Sequence, residues 1–204
     1  LLTMYRSFAD VQTADMVKLN VPAAERVVVD LKPSDTVIEL AEEISARADK
    51  IYGGRVDPHI DNMLKVTSDG KKLALDPRCF VPESRDEAGS KLNECAQRIH
   101  EIWTDTQEIK GTQIVFCDLS TPKARFEDYG YGTDFDAYND LKYKLVQRGI
   151  PEQEIAYIHE ANTDEQKQAL FDKVNSGAVR ILVGSTEKCG AGTNVQKRLV
   201  ALHH

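Results

Sequence analysis

Three short apolar runs constrain this chain most: Thr112-Gln-Ile-Val-Phe-Cys117, Ile155-Ala-Tyr-Ile158 and the stretch from Val179 to Gly184. Runs this short and β-branched suit strands buried on both faces, and parallel neighbours need a crossover of a dozen or more residues. Helical periodicity fills both intervals. Between the first and second runs, Phe135, Tyr138, Leu141, Leu145 and Val146 recur at helical spacing, with Thr133 as the expected N-cap and Gly149 and Pro151 as the stop. Between the second and third, Thr163 and Gln166 form a capping box, Leu170, Phe171 and Val174 the apolar stripe, and Gly177 the terminator. The pattern is that of an α/β domain with a parallel sheet.

The third run leads directly into Ser185-Thr-Glu-Lys-Cys-Gly-Ala-Gly-Thr-Asn-Val-Gln196. Gly190 and Gly192 allow close approach of backbone to an anion, while Ser185, Thr186, Thr193, Asn194 and Gln196 supply short hydrogen-bonding groups. A tight connector with no ligand is the plainer alternative. The carboxyl end of a parallel strand is also where α/β sheets place ligands. Lys188, Lys197 and Arg198 make the neighbourhood locally basic.

Upstream, Ser90 caps a helix with Leu92, Cys95, Ala96, Ile99, Ile102 and Trp103 on one face, which sets the start of the α/β domain near residue 88. Residues 83–90 are polar and read as a linker or surface loop. In residues 1–87, Val27-Val-Val29 reads as a strand, and Ser34 caps an amphipathic helix carrying Val37, Leu40, Ala41, Ile44 and Ile51 up to Gly53-Gly54. Leu64–Thr67 and Lys72–Leu75 flank Ser68-Asp-Gly70 and read as a β-hairpin, because Asp-Gly suits a tight turn. This part is therefore expected to be a smaller α+β region.

With 204 residues, 41% of them hydrophobic, the chain can bury a real core. A net charge of −7 argues against a broad basic surface for nucleic acid, though not against contact through one loop. No apolar run reaches membrane-spanning length and the first residues given lack the basic, apolar and small-residue order of a signal peptide, so the expected location is cytoplasmic, without a membrane partner. Cys79, Cys95, Cys117 and Cys189 lack the close pairing of zinc sites and are expected as reduced, partly buried thiols. The chain opens on Leu1 and closes on His203-His204, just after the apolar Leu199–Leu202, and is expected to be a fragment; the two histidines are native or a tag stub.

Catalytic signatures are missing: there is no phosphate-binding Gly-x-x-x-x-Gly-Lys-Ser/Thr, no Asp-Glu-x-His and no serine nucleophile elbow. His59, His100 and His159 have no spaced partner that would mark a triad or metal site, and His159 is read as structural.

The order of Gln113-Ile-Val-Phe-Cys117, Ile155-Ala-Tyr-Ile-His159, Thr163-Asp-Glu-Gln-Lys167 and Ile181-Leu-Val-Gly-Ser-Thr186 with Gly190-Ala-Gly-Thr-Asn-Val-Gln196 resembles the second RecA-like lobe of superfamily-two helicases. Within that group it is similar to the Swi/Snf-like helicases of phages and conjugative elements, often fused to adenine-specific DNA methylases. The resemblance spans roughly residues 90 to 204. It extends more loosely upstream, where Tyr5-Arg-Ser-Phe-Ala-Asp10 and Asp61-Asn-Met-Leu64 look like the interlobe region. It implies a RecA-like parallel sheet with helices on both faces at 88–204, truncated before motif VI, and an interlobe linker at 1–87.

By resemblance, Phe116, Cys117 and Asp118 occupy motif IV and, with Ser185, Thr186 and Lys188, are the expected nucleic-acid contacts, Ser185 and Thr186 lying near a phosphate. Gly190, Gly192, Thr193, Asn194 and Gln196 then face the nucleotide between lobes. The implied parent is a DNA-dependent ATPase using ATP and Mg2+. Its partners are duplex DNA, an N-terminal RecA-like lobe and a fused methylase domain. The fragment alone is expected to carry no catalytic residue, no bound cofactor and no activity. Cys189 before Gly190 and Thr193 before Asn194 depart from the remodeller pattern of paired glycines and an isoleucine, and the chain lacks the arginines of motif VI and a methylase Asn/Asp-Pro-Pro-Tyr. A rival reading is a noncatalytic interaction module on a RecA- or Rossmann-like scaffold, held in a DNA-processing assembly through the helix from Ser34 to Tyr52. A nucleotide-sugar transferase ranks lower, because no acid is placed to hold a ribose after the first strand.

Overall fold

The structure is a computed structural model, and it describes residue 9 and residues 23–123, 125–129, 134–190 and 193–204. The chain divides into two units, Leu1–Asp30 and Leu31–His204. In the first, residues 23–30 carry neither helix nor strand, and Val27, Val28 and Val29 are exposed. The strand expected there does not form: three β-branched residues favour extended backbone but need a partner strand to bury them. Tyr5-Arg-Ser-Phe-Ala-Asp10 lies almost wholly outside the described residues.

The second unit begins with helix α1, Asp35–Tyr52, whose N-cap Ser34 accepts a hydrogen bond from the Val37 amide at 3.2 Å, as its sequence implies. Helix α2, Met63–Leu75, replaces the expected hairpin. Three local facts outweigh the Asp-Gly signal. Asn62 caps the helix by accepting from the Lys65 amide at 3.1 Å. Val66 and Leu73, seven residues apart and so on one helical face, are both buried. Asp69, inside the supposed turn, instead pairs with Arg47 of α1 at 2.9 Å, alongside Asp61. A mid-helix glycine costs about 1 kcal/mol, which these contacts offset. Residues 31–87 thus hold helices and no strand, rather than an α+β arrangement.

Helix α3, Lys91–Asp105, follows its Ser90 cap. Strand β1 is Thr112–Phe116, helix α4 Ala137–Gln147, strand β2 Ile155–Tyr157, helix α5 Asp164–Ser176, strand β3 Ile181–Gly184, the five-residue helix α6 Thr186–Gly190, and strand β4 Leu199–His203. The capping box of Thr163 and Gln166 is present, and Gly177 ends α5 at φ 78°, a left-handed conformation that glycine adopts without strain. The cap of α4 is Asp136, which accepts from the Asn139 amide at 2.8 Å; Thr133, expected in that role, lies outside the described residues with Gly130 and Gly132.

All four strands are parallel, in the order β2-β3-β1-β4, with Ile114 opposite Leu182 and Ala156 opposite Leu182. Side chains alternate between two cores. On one face Val115, Ile155, Tyr157, Ile181 and Val183 pack with Ala96 and Ile99 of α3 and Tyr138, Leu141 and Leu145 of α4. On the other, Ile114 and Leu182 pack with Phe171 and Val174 of α5, Cys189 of α6 and Val195. The fold is therefore an α/β, RecA-like parallel sheet with helices on both faces. Among the described residues no helix is long and apolar enough to cross a membrane.

A buried ion network joins the segment after α2 to α4. Arg78, its side chain 10% exposed, pairs with Asp76 at 2.8 Å and, through both terminal nitrogens, with Asp140 at 3.1 Å. Lys144 completes it with Asp140 at 2.8 Å and Asp86 at 2.5 Å.

Candidate functional site

Strand order decides where a site can lie. β1 and β3 are neighbours, but the chain leaving β1 runs to α4 on one face, whereas the chain leaving β3 runs through α6 on the other. Such divergence opens a crevice at the carboxyl ends of the two strands, the usual ligand position in open α/β sheets. Residues 116–118 enter it from β1 and residues 184–190 from β3.

The crevice is spanned by one side chain. Asp118 accepts from the Thr186 amide at 2.6 Å and from the Thr186 hydroxyl at 2.9 Å. Both groups assigned to a phosphate therefore already hold a carboxylate, although Asp118 and Thr186 are exposed. Ser185 accepts from the Lys188 amide at 3.3 Å through its hydroxyl oxygen, leaving its own proton to donate. Lys188 is exposed and makes no ion pair among the described residues.

Glycine usage differs from the expectation. A Cβ on Gly184 would lie 2.3 Å from Cys189 Sγ and 2.4 Å from Ile158 Cγ2, so glycine at the end of β3 is a packing requirement. On Gly190 a Cβ would meet only Thr186 Cγ2, at 3.9 Å, so the fold itself does not demand glycine there. Gly192 lies outside the described residues.

Beyond α6 the loop returns under the control of α5. Asn175 donates to the Asn194 carbonyl at 2.7 Å and accepts from the Lys197 amide at 3.3 Å. Asn194 and Gln196 stay exposed while Val195 is buried between them, and the Thr193 hydroxyl is buried with no hydrogen-bond partner. Among the described residues no group of three or more His, Cys, Asp or Glu side chains is placed to share a metal ion. Asn175 was not recognisable in advance, because in sequence it is one more polar residue on a solvated helix face.

On the β1 side, the Cys117 carbonyl accepts from the Tyr138 hydroxyl at 2.5 Å. That hydroxyl has one proton, so its 3.2 Å contact with His159 Nε2 makes His159 the donor there. Burial, and then Lys188, lower the His159 pKa, favouring the neutral ring. His159 serves as a brace for a core tyrosine, in keeping with its structural reading. Burial likewise raises the Cys117 thiol and pushes Cys189 up to about 11. All four cysteines are free. Phe116 stacks on His204 at 4.6 Å, and both Phe116 and Cys117 line an apolar cavity.

No family model matches the chain, and neither does any curated protein or solved structure.

Proposed function

We propose that the chain is the C-terminal RecA-like lobe of an ATP-dependent DNA helicase or translocase, giving phosphate contacts to duplex DNA and one wall of an ATP cleft. The observation that carries this reading is that β1 and β3, whose connections leave to opposite faces, bring Asp118 against Thr186 at their carboxyl ends, next to Ser185 and Lys188. Hydroxyls, backbone amides and one lysine hold a phosphate without locking it, as a motor that releases DNA every cycle requires. Asp118 gives the loop a resting partner, which incoming phosphate displaces from Thr186. Thr193, Asn194 and Gln196 would face ATP, whose hydrolysis supplies the driving force once an N-terminal lobe closes the cleft. In the parent this is a hydrolase acting on ATP; this chain contributes positioning groups.

The test is amide-resolved NMR of the 204-residue protein titrated with a short DNA duplex. Changes should centre on residues 116–118 and 185–190, and Thr186→Ala should weaken them. Binding that leaves those amides unmoved, or no response to DNA at all, sinks the reading. ATP should bind this chain only weakly, since one wall of the cleft is not part of it; tight, magnesium-dependent binding by calorimetry would contradict that.

One observation favours a second reading, a noncatalytic interaction module in a DNA-processing assembly. Helix α1 has no buried residue along its 18 positions, and Ile38 and Tyr52 are exposed. With Asp118 fixed permanently on Thr186, that surface would do the binding and the loop would be inert.

A further inference from the structure

One apolar space adjoins the segment that carries Asp118, since Phe116, Cys117 and Leu119 all line it. A cavity of about 360 Å³ lies where α2, α3, α4 and the β1–β4 edge meet. Its walls are Ala74 and Leu75 of α2, Leu92 and Cys95 of α3, and Tyr138 and Leu141 of α4, so it is overwhelmingly apolar. The two cysteines do not make it reactive, because burial pushes Cys95 up to about 12 and also raises Cys117.

The charge around it is one-sided. Lys71 and Lys91 both line the cavity and both are exposed, which puts them at its mouth. Neither has an ion-pair partner among the described residues. No aspartate or glutamate lines it, in a chain with 33 acidic residues and a net charge of −7.

An apolar chamber opening between two unpaired cations matches one ligand chemistry. We propose that this cavity binds a small anionic amphiphile, a carboxylate carrying a short alkyl chain or single ring system, with its tail against Leu92, Tyr138 and Leu141 and its carboxylate between Lys71 and Lys91. The volume is near the lower end of the roughly 300–1,000 Å³ range of small-molecule sites, which excludes long-chain lipids and macromolecules. The proposal needs neither the loop after β3 nor DNA, but the cavity shares Phe116 and Cys117 with the segment read as motif IV, so Ala74, Leu92 and Tyr138 are the amides that report on the cavity alone.

The probe is decanoate, with 1-decanol and decyltrimethylammonium as tail-matched neutral and cationic controls, titrated below their micelle concentrations and followed by NMR and calorimetry. Decanoate should saturate, shift the amides of Ala74, Leu92, Cys117 and Tyr138, and bind about tenfold tighter than decanol, given two partly exposed ion pairs. Ala74→Trp, at an exposed wall position, should abolish binding while leaving the fold's circular dichroism unchanged. Lys71→Ala with Lys91→Ala should bring decanoate and decanol to equal affinity without lowering stability. Failure of decanoate to saturate, equal binding of the three probes to the unmodified protein, or binding that survives Ala74→Trp overturns the proposal.

Discussion

The guanidinium of Arg78 and the amide of Thr186 both hold aspartates, yet their surroundings give the two contacts opposite roles. Around Arg78 most charges are shut in: Asp76 and Asp140 are 1% and 8% exposed, only Asp86 at 3.2 Å reaches the surface, and each charge has a partner. Around Thr186 everything is open: Asp118 reaches across from a neighbouring strand to an exposed residue. A buried charge without its partner is intolerable, so the first cluster is fixed in one arrangement. An exposed carboxylate loses little when water or a phosphate takes its place, so the second can exchange. Architecture and recognition are thus handled by similar chemical groups at different depths.

The sharpest way to test the closed half is to remove Arg78. Arg78→Met removes the only ion-pair partner of Asp76 among the described residues, while Asp140 keeps Lys144 at 2.8 Å, and the expected loss is about 3–5 kcal/mol in urea unfolding. Asp76→Asn in the same background should recover part of it, because the orphaned charge disappears. A loss under about 1 kcal/mol would mean that the segment after α2 is held by its apolar contacts alone.

A second buried polar link joins the edge strand to the core. His203 contacts the oxygen of Gln113 at 2.8 Å, and the Gln113 amide donates to the Ile99 carbonyl at 2.9 Å. Burial, and then the neighbouring His204, depress the His203 pKa to about 4. The unfolded chain binds a proton near pH 6.5 and the folded one does not. The stabilisation is therefore complete above about pH 6.5 and is lost as pH falls towards 4, with about 3 kcal/mol at stake. His203→Gln should flatten the stability profile in that window relative to the unmodified protein. If the two profiles run parallel, the histidine is solvated.

These two links also show where sequence reasoning stops. The strands at Thr112, Ile155 and Ile181, the helices capped by Ser34, Ser90 and Thr163, and the position of the glycine-hydroxyl loop were legible because their causes are local: periodicity, a cap three residues away, a terminating glycine. Arg78 and Asp140 are 62 residues apart and His203 and Gln113 are 90 apart, so neither pairing leaves a local trace. The hairpin expected at Ser68-Asp-Gly70 failed for the same reason, since Arg47 and the buried faces of Val66 and Leu73 decide that segment from outside it. The loop's residues were identifiable by type, but the side chain that occupies it, Asp118, was placed only by the adjacency of β1 and β3.

Between the two extremes stands Gly184, where the open loop is anchored to the closed core. Gly184→Ala forces a Cβ against Cys189 and Ile158 and should cost about 1–3 kcal/mol. Cys189→Ala should restore much of that by vacating the space its sulfur fills. A second-site change that restores nothing would locate the strain in the backbone of β3 and not in the packing beneath α6.

The smallest expected stability change is at Asp118, and it separates the two functional readings. Asp118→Ala removes a cap-like pair of hydrogen bonds from an exposed residue, at about 1 kcal/mol or less. If the loop receives phosphate, that variant has a free Thr186 amide and hydroxyl and one negative charge fewer in the crevice, so a DNA duplex should bind several-fold tighter, most visibly at low salt. Asp118→Asn distinguishes the two contributions, because it keeps an acceptor for the Thr186 amide while deleting the charge; an intermediate affinity assigns part of the gain to electrostatics and part to the freed donors. If the chain is instead an interaction module, both variants leave DNA affinity where it was. The comparison with Arg78 then fails as well, since an exposed aspartate that never exchanges would be as purely structural as a buried one.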